Sequence, residues 1–598
     1  MDERVTEKLS SLEARVEHIA TQVDALSLKV DRLTAKADGY QTGAVMNEAA
    51  ARDTEFPDAS EALLSWVGRS SLLQRLSTSC FLLVVALILR TVTDNGIIDR
   101  QLGSVIGVSY AAALMVMGWI KYGRANSLAP VFTVCGAVLM FTIIGEAHAR
   151  FSALPSVPAY ILLMLTGLGT AVISYVHRAP APVAVGSLGM CIAGAAIDYP
   201  TPFFPYLGIV LLTANLLGYV TVRAQRFSWF RWILLLVTLF MVHLWGFKLG
   251  MTLLGGEKPS RELAPSWFLP LLALFSGTYM ITGFLGIVRS LPGKVSRFEL
   301  ALPTINVAWA YLLAQYVVSA MGGSKMSLGV VGVIAGAGHL VAAHWLAGRD
   351  PYGARGANAF LFAGAVLLAL TLPATTNSIT PSLPLLAAVA LGAAVMSVKW
   401  KNGSVRLTSY LLYMYTVVAL ALALHDQGAA PSVWSDMLSA GGIACLGFVQ
   451  YWWCRGRKPP EESAFFLRID KDDLSAVTIL LASLTSAFFA LRVVVHYILT
   501  GTLAPSDVSN VLQSSQSVII NLSAIVLMFI ALAYRNRELR NTAILVTLIG
   551  AVNVFLYDLI RVHGMPLVIS VLSFGLATAI ESVILGRWQH LSQPVKGE

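Results

Sequence analysis

The chain has 598 residues, of which 56% are hydrophobic and 13% charged, with a mean hydropathy of +0.70. A soluble domain carries about 25% charged residues, so these values exclude a soluble core wrapped in polar surface. The formal charge of +9 does not predict a nucleic-acid partner, because the basic residues lie in short segments between apolar runs and form no stripe.

From the N-terminus, residues 1–36 carry a heptad, with Leu9, Val16, Val23 and Val30 at a and Val5, Leu12, Ile19, Leu26 and Leu33 at d. β-Branched a positions with mostly leucine at d favour a parallel two-stranded coiled coil, so a homodimer is expected. The alternative is an amphipathic helix lying on the protein's own loops. The coil is also a surface for a cytoplasmic protein partner. The polar, mixed-charge start predicts no cleaved signal peptide and a cytoplasmic N-terminus. Residues 37–60 read as a flexible linker. Residues 61–72, with Leu63, Leu64, Trp66 and Val67 between charges, read as an interfacial helix.

The rest, 73–587, is a train of apolar runs about 17 to 25 residues long, the length that crosses roughly 30 Å of hydrocarbon as helix. Continuous runs choose helices over a barrel. The expected fold is all-α and polytopic, about eighteen transmembrane helices in a lipid bilayer. Their starts lie near 74, 102, 127, 157, 181, 204, 229, 265, 300, 327, 357, 381, 407, 437, 474, 515, 541 and 566. Alternate loops are basic, holding Lys121 and Arg124, Arg178, Arg223 and Arg226, Arg289 to Arg297, Arg349 and Arg355, and Lys399 to Arg406. Arg455 to Lys471 and Arg535 to Arg540 continue the series. The loops between them are poor in Lys and Arg, which places both termini inside, with a cytoplasmic tail at 588–598. The stretches near 251–264, 425–436 and 501–514 are the largest outer loops. Gly329, Gly332, Gly336 and Gly338 suggest close helix packing.

Trp66-Val67-Gly68, then Leu87-Ile88-Leu89-Arg90, Asp94-Asn95-Gly96 and Gly103 resemble a family of uncharacterised bacterial polytopic membrane proteins with an N-terminal coiled coil. The resemblance implies a bacterial inner membrane and carries no activity with it.

Ionisable residues at membrane depth are a functional-site hypothesis by default. Most gather at helix ends expected outside: Arg90 and Asp94, Glu146, His148 and Arg150, His243 and Lys248, His425 and Asp426, Arg492 and His496, and Asp558 and Arg561. Asp99 and Asp198 stand in outer loops. Glu299, His339, His344 and Glu581 lie in the inner half. The expectation is one polar cavity on the outer leaflet. There Arg90, Arg492 and Arg561 bind a phosphate or carboxylate, and Asp94, Glu146, His496 or Asp558 serve as acid, base or proton relay. Each is more readily read as a snorkelling or structurally paired end charge. Arg492 stands out because Leu491 and Val493–Val495 surround it.

His339 and His344 lie about 140° apart around a helix, so no metal pair is expected. Cys80, Cys135, Cys191, Cys445 and Cys454 have no paired spacing and read as small core residues. Tyr410, Tyr413, Tyr415, Trp452 and Trp453 read as belt or packing residues. No phosphate-binding glycine loop, Cys-x-x-Cys or His-Glu-x-x-His is present, and the residues name no cofactor. Three functions follow: transfer or translocation of a lipid-linked or polysaccharide envelope substrate at the outer leaflet, gradient-driven secondary transport, or a non-catalytic dimeric scaffold recruiting a partner through the coil. Asp94 and Asp99 in the first outer loop favour the first, although that loop is short for a multi-span glycosyltransferase.

Overall fold

A computed structural model describes residues 70–197, 202–225, 228–291, 295–350, 353–426, 433–460 and 463–592. The expected coiled coil, the linker, residues 61–69 and the final residues 593–598 lie outside the described residues. The chain divides into two compact units, Met1–Val84 and Val85–Glu598. Of the first, the described part is one helical stretch, residues 70–84; the other helices belong to the second.

Among the described residues there is helix and no strand, as lipid demands: a helix satisfies its own N–H and C=O groups where water cannot. The helices are α1 (Ser70–Asp94), α2 (Arg100–Gly123), α3 (Ala129–Ala149), α4 (Ser156–His177), α5 (Pro180–Ala196) and α6 (Phe204–Gln225). Next come α7 (Ser228–Leu254), α8 (Pro265–Ser290), α9 (Arg297–Ala320), α10 (Lys325–Arg349), α11 (Ala357–Thr376), α12 (Leu383–Lys399) and α13 (Gly403–Asp426). After α14 (Val433–Arg455) and the short α15 (Ala464–Arg468) follow α16 (Ser475–Thr502) and α17 (Pro505–Tyr534). The chain ends with α18 (Arg537–Val552), continued by a π-helical turn (Asn553–Asp558) and Leu559–Arg561, and with α19 (Met565–Ser592).

Sixteen of the described helices are long and apolar enough to cross a membrane. Helix α5, with 17 residues, is apolar but shorter. Helix α14 has the length, 23 residues, yet buries Asp436, Ser439 and Gln450. Those two account for the difference from the eighteen expected. Helix starts lie within a few residues of the expected ones except at α17, which begins at Pro505 rather than near 515. The stretch read as loop 501–514 is therefore largely helix. At the other end α19 runs to Ser592, into the expected tail.

Close backbone approach sets several contacts. Gly329, Gly332 and Gly336 are buried on one face of α10 against α11. A Cβ on Gly332 would lie 2.2 Å from Thr371 Cγ2, and one on Gly329 2.9 Å from the Thr375 nitrogen. Gly338 does not share this role, since a Cβ there meets nothing within 4 Å. Between α2 and α3, a Cβ on Gly136 would lie 2.9 Å from the Ala111 carbonyl oxygen. Small residues are what lipid-embedded helices need in order to meet this closely.

Gly332→Ala should overpack the α10–α11 contact at a cost of about 1–3 kcal/mol and lower the unfolding temperature of the detergent-solubilised protein. Gly338→Ala should leave that temperature unchanged or raise it. Equal effects from both would show that α10 does not meet α11 through this face.

Candidate functional site

Helix α17 carries polar residues at 510, 514, 517 and 521, spaced four, three and four apart and so along one face. Each grips the neighbouring pair α18–α19. Asn510 Nδ2 donates to the His563 carbonyl at 3.1 Å, and its Oδ1 accepts from the His563 N–H at 3.1 Å. Ser514 donates to the Pro566 carbonyl at 2.5 Å. These bonds hold the turn between α18 and α19, where Gly564 takes φ +73°, a left-handed conformation suited to glycine. Ser517 donates to Asp558 Oδ2, and Asn521 Nδ2 donates to Ser573 Oγ at 2.8 Å.

Asp558 is the centre of this arrangement and is fully buried. Its Oδ2 accepts from Ser517 on α17 and from Ser570 on α19. Asn553, one turn earlier in the π-helical segment, donates to Ser517 Oγ at 2.7 Å. Asp558 Oδ1 has no hydrogen-bond partner, nor has Asn521 Oδ1, although Asn521 is 1% exposed. A buried polar atom left unpartnered costs about 1–3 kcal/mol, so such atoms call for a role. π Turns inside helices occur mostly at functional sites. The other ionisable groups on these three helices are exposed Asp507 and Tyr534 at the two ends of α17, Arg537, Glu538 and Arg540 at the start of α18, exposed Tyr557 and Arg561 beside the carboxylate, His563 in the turn, and Glu581, Arg587 and His590 on α19.

Glu581 is the second buried carboxylate here, 5% exposed on α19. Thr547 of α18 donates to its Oε1 at 2.5 Å and also to the Ala543 carbonyl at 3.0 Å. Gly550 lies one turn from Thr547 towards Asp558, and a Cβ there would come within 2.4 Å of Asn521 Oδ1.

The remaining residues expected in one cavity are spread over several places. Arg90 pairs with Glu146 at 2.7 Å, beside a cleft of about 40 Å³ whose lining comes from α1, α2, α3 and Phe151. Asp99 caps α2, accepting from the Gln101 N–H at 3.1 Å. Arg492 is half-buried with its guanidinium 5.9 Å from the Phe489 ring, and His496 one turn on is exposed. Arg561 lies 5.9 Å from the ring of its own helix neighbour Tyr557. The side chains of Asp94, His425 and Asp426, and residue Asp198, lie outside the described residues. Of the seven residues expected around one cavity, then, the structure joins Arg90 with Glu146 and sets Asp558 in a different group of helices.

A larger polar cavity of about 850 Å³ opens where α3, α4, α5 and α6 end or begin, bordered by His148, Tyr206, Arg261 and Glu262. His148 Nδ1 shares a hydrogen bond of 2.8 Å with the Leu154 carbonyl. His339 and His344 face different neighbours, the Phe360 and Trp400 rings. Among the described residues no group of three or more His, Cys, Asp or Glu has the geometry to hold a metal. Cys135, Cys191 and Cys454 are buried, whereas Cys80 and Cys445 are exposed.

At the opposite helix ends, sequence reading misses a buried ion pair. Arg406, read as a loop charge, and Asp473 are 0% and 1% exposed and form a salt bridge. Tyr410, read as a belt or packing residue, donates to Asp473 at 2.9 Å and accepts from Arg406 Nε at 2.8 Å. Arg406 also donates to the carbonyls of Cys454 and Arg457. Nearby Asp470 caps α16, accepting from the N–H groups of Leu474 and Ser475. Burial alone would raise its pKa, but Ser475, Leu474 and Arg455 together hold the carboxyl below its usual range. Arg455 in turn pairs with Glu538 on α18, and Tyr451 donates to the same carboxylate at 3.3 Å. Glu299 donates its N–H to Ser296 Oγ at 3.3 Å, its carboxylate accepts from that hydroxyl at 3.1 Å, and it pairs with Arg231 at 3.2 Å. These pairs are saturated with protein partners, which marks them as structural, whereas Asp558 keeps an oxygen unused.

The chain matches no family model, no curated protein and no solved structure.

Asp473→Ala should strand a fully buried guanidinium and destabilise the protein by about 3–5 kcal/mol, and Asp473→Leu with Arg406→Met should recover much of that loss. Thermal unfolding in detergent reads both. A single variant as stable as the parent would mean Arg406 reaches another counter-charge.

Proposed function

We propose that the chain is a cation-coupled secondary transporter of a bacterial inner membrane, with eighteen spans and both termini in the cytoplasm. One observation carries this reading: Asp558, fully buried at a π-helical turn, meets serine hydroxyls and retains an unpartnered oxygen. A carboxylate inside a membrane protein with no basic partner is costly unless it takes up and gives off a cation. A structural carboxylate in this same protein looks different, as Asp473 with Arg406 and Tyr410 does. The unmatched oxygen of Asp558 is the feature of a group that changes its occupant. The sequence holds no phosphate-binding glycine loop, which favours a gradient over a self-contained nucleotide-driven pump.

A second reading, handling of a lipid-linked or polysaccharide envelope substrate, draws support from the polar cavity beside His148, Tyr206, Arg261 and Glu262. Its mixed charges and aromatic edges suit a sugar or phosphate group. The two readings are compatible, the cavity receiving cargo while Asp558 couples its movement to a gradient. The coil at residues 1–36 would join two such protomers and offer a site for a cytoplasmic partner.

Two experiments test this. Dicyclohexylcarbodiimide modifies protonated carboxyl groups in apolar surroundings, and peptide mass mapping of the reconstituted protein should find Asp558 modified several-fold more than exposed Asp507. Raising the pH should suppress that modification if the exchanged cation is a proton, and raising the Na+ concentration should do so if it is sodium. Modification indifferent to both, or absent from Asp558, overturns the cation-coupled reading. For the dimer, light scattering should give twice the chain mass for the whole protein and a single chain mass after removal of residues 1–60; a monomeric whole protein removes the coil from the account.

A further inference from the structure

The polar groups around Asp558 do not end there. They continue along the same three helices to Glu581. From Asp558, Ser570 leads to the next turn of α19, where Ser573 accepts from Asn521 at 2.8 Å. The unpartnered Oδ1 of Asn521 lies against the bare backbone of Gly550. Thr547, which donates to Glu581, is three residues further along α18, about 4.5 Å of helix rise. Along α19, Ser570 and Glu581 are eleven residues apart, which spans about 16 Å, half the hydrocarbon thickness. Two buried carboxylates thus stand at the ends of a line of hydroxyls and a carboxamide, in which Ser573 donates to the Ser570 carbonyl at 2.7 Å and the Asn521 carboxamide lies against Gly550, one turn from Thr547.

The chemistry at Asp558 favours a proton over a metal cation. Sodium requires several oxygen lone pairs converging on one point, as hard cations do in general. Around Asp558 the hydroxyls of Ser517 and Ser570 donate to the carboxylate, and the Asn553 amide donates to Ser517. The surroundings are therefore rich in donors. We infer that the coupling ion is a proton, and that it is handed between Asp558 and Glu581 by water molecules held along the hydroxyls of Ser570, Ser573 and Thr547 and oriented by the Asn521 carboxamide. The inference rests on the cation-coupled reading. In the transfer the Asp558 carboxyl becomes a carboxylate as the Glu581 carboxylate becomes a carboxyl. Each water or hydroxyl oxygen between them takes a proton on one side and releases one on the other, while the Asn521 carboxamide carries no proton and only positions the file. Gly550 matters because a side chain there would push the Asn521 carboxamide out of the file.

The test is proton movement into proteoliposomes holding a pH-sensitive dye, driven by a valinomycin-set potassium potential, with and without Na+. The intact chain should acidify the interior in Na+-free buffer. Asp558→Asn, Glu581→Gln and Gly550→Val should each cut the rate at least tenfold, towards that of protein-free vesicles. Glu581→Asp, which keeps the carboxyl group, should retain a large part of the rate, and gel filtration of each variant separates loss of relay from loss of fold. Wild-type movement by folded Glu581→Gln overturns the relay. A strict requirement for Na+, or no proton movement by the intact chain, overturns the proton assignment. Carbodiimide modification of Asp558 needs no flux and judges the cation-coupled reading separately, so the two failures are distinguishable.

Discussion

Between helices bathed in hydrocarbon, burying apolar surface contributes little to association, because a leucine facing lipid is already out of water. What remains to specify the fold is contact at short range: backbones brought close by small residues, and polar groups that have no alternative partner. Both devices are visible. Helices α10 and α11 approach through Gly329, Gly332 and Gly336. Helices α13, α14 and α16 are fixed instead by Arg406, Tyr410 and Asp473, with main-chain carbonyls taking the remaining guanidinium hydrogens. Arg455 and Glu538 then tie α14 to the start of α18.

The same constraint separates structural from functional charge. Where a charge serves the fold, the chain surrounds it with enough partners to exhaust its capacity, because an unmet ion in a low-dielectric setting is expensive. Arg406 and Asp470 follow this rule. Asp558 departs from it, with two hydroxyl donors on one oxygen and none on the other, and so does Asp436 on α14, 2% exposed with its Oδ2 unpartnered. The contrast within one protein is more informative than burial alone, since Asp473 and Asp558 are buried to nearly the same degree.

Length and hydropathy carry most of the helix positions, because the bilayer fixes how long an apolar run must be. That reading fails where polarity and helix coincide. The start of α17 is dense in serine, asparagine and glutamine and reads as loop, yet the stripe of Asn510, Ser514, Ser517 and Asn521 at helical spacing is in the sequence. Asp558 and Glu581 stand out in sequence as membrane-depth carboxylates, but their link through Thr547, Gly550 and Asn521 depends on three helices meeting. Arg406 illustrates the opposite loss. Near the end of an apolar run it looks like any cytoplasmic loop charge, and Asp473, 67 residues later, offers no local hint of partnership. Projecting helix ends onto a common plane predicts one outer cavity, but it says nothing about which helices are neighbours.

The turn at Asn553–Asp558 contains one residue more than an α-helix would use for the same rise. An α-helix advances about 100° per residue, so this extra residue is a stored quantity of rotation. Absorbing it elsewhere along α18 would swing the Asp558 side chain by about that angle, away from Ser517 and Ser570. Asn510 and Ser514 meanwhile pin the turn after α18 to α17. With that end anchored, a shift of the surplus residue along α18 would have to be taken up as rotation of the helix about its own axis rather than as movement of the turn.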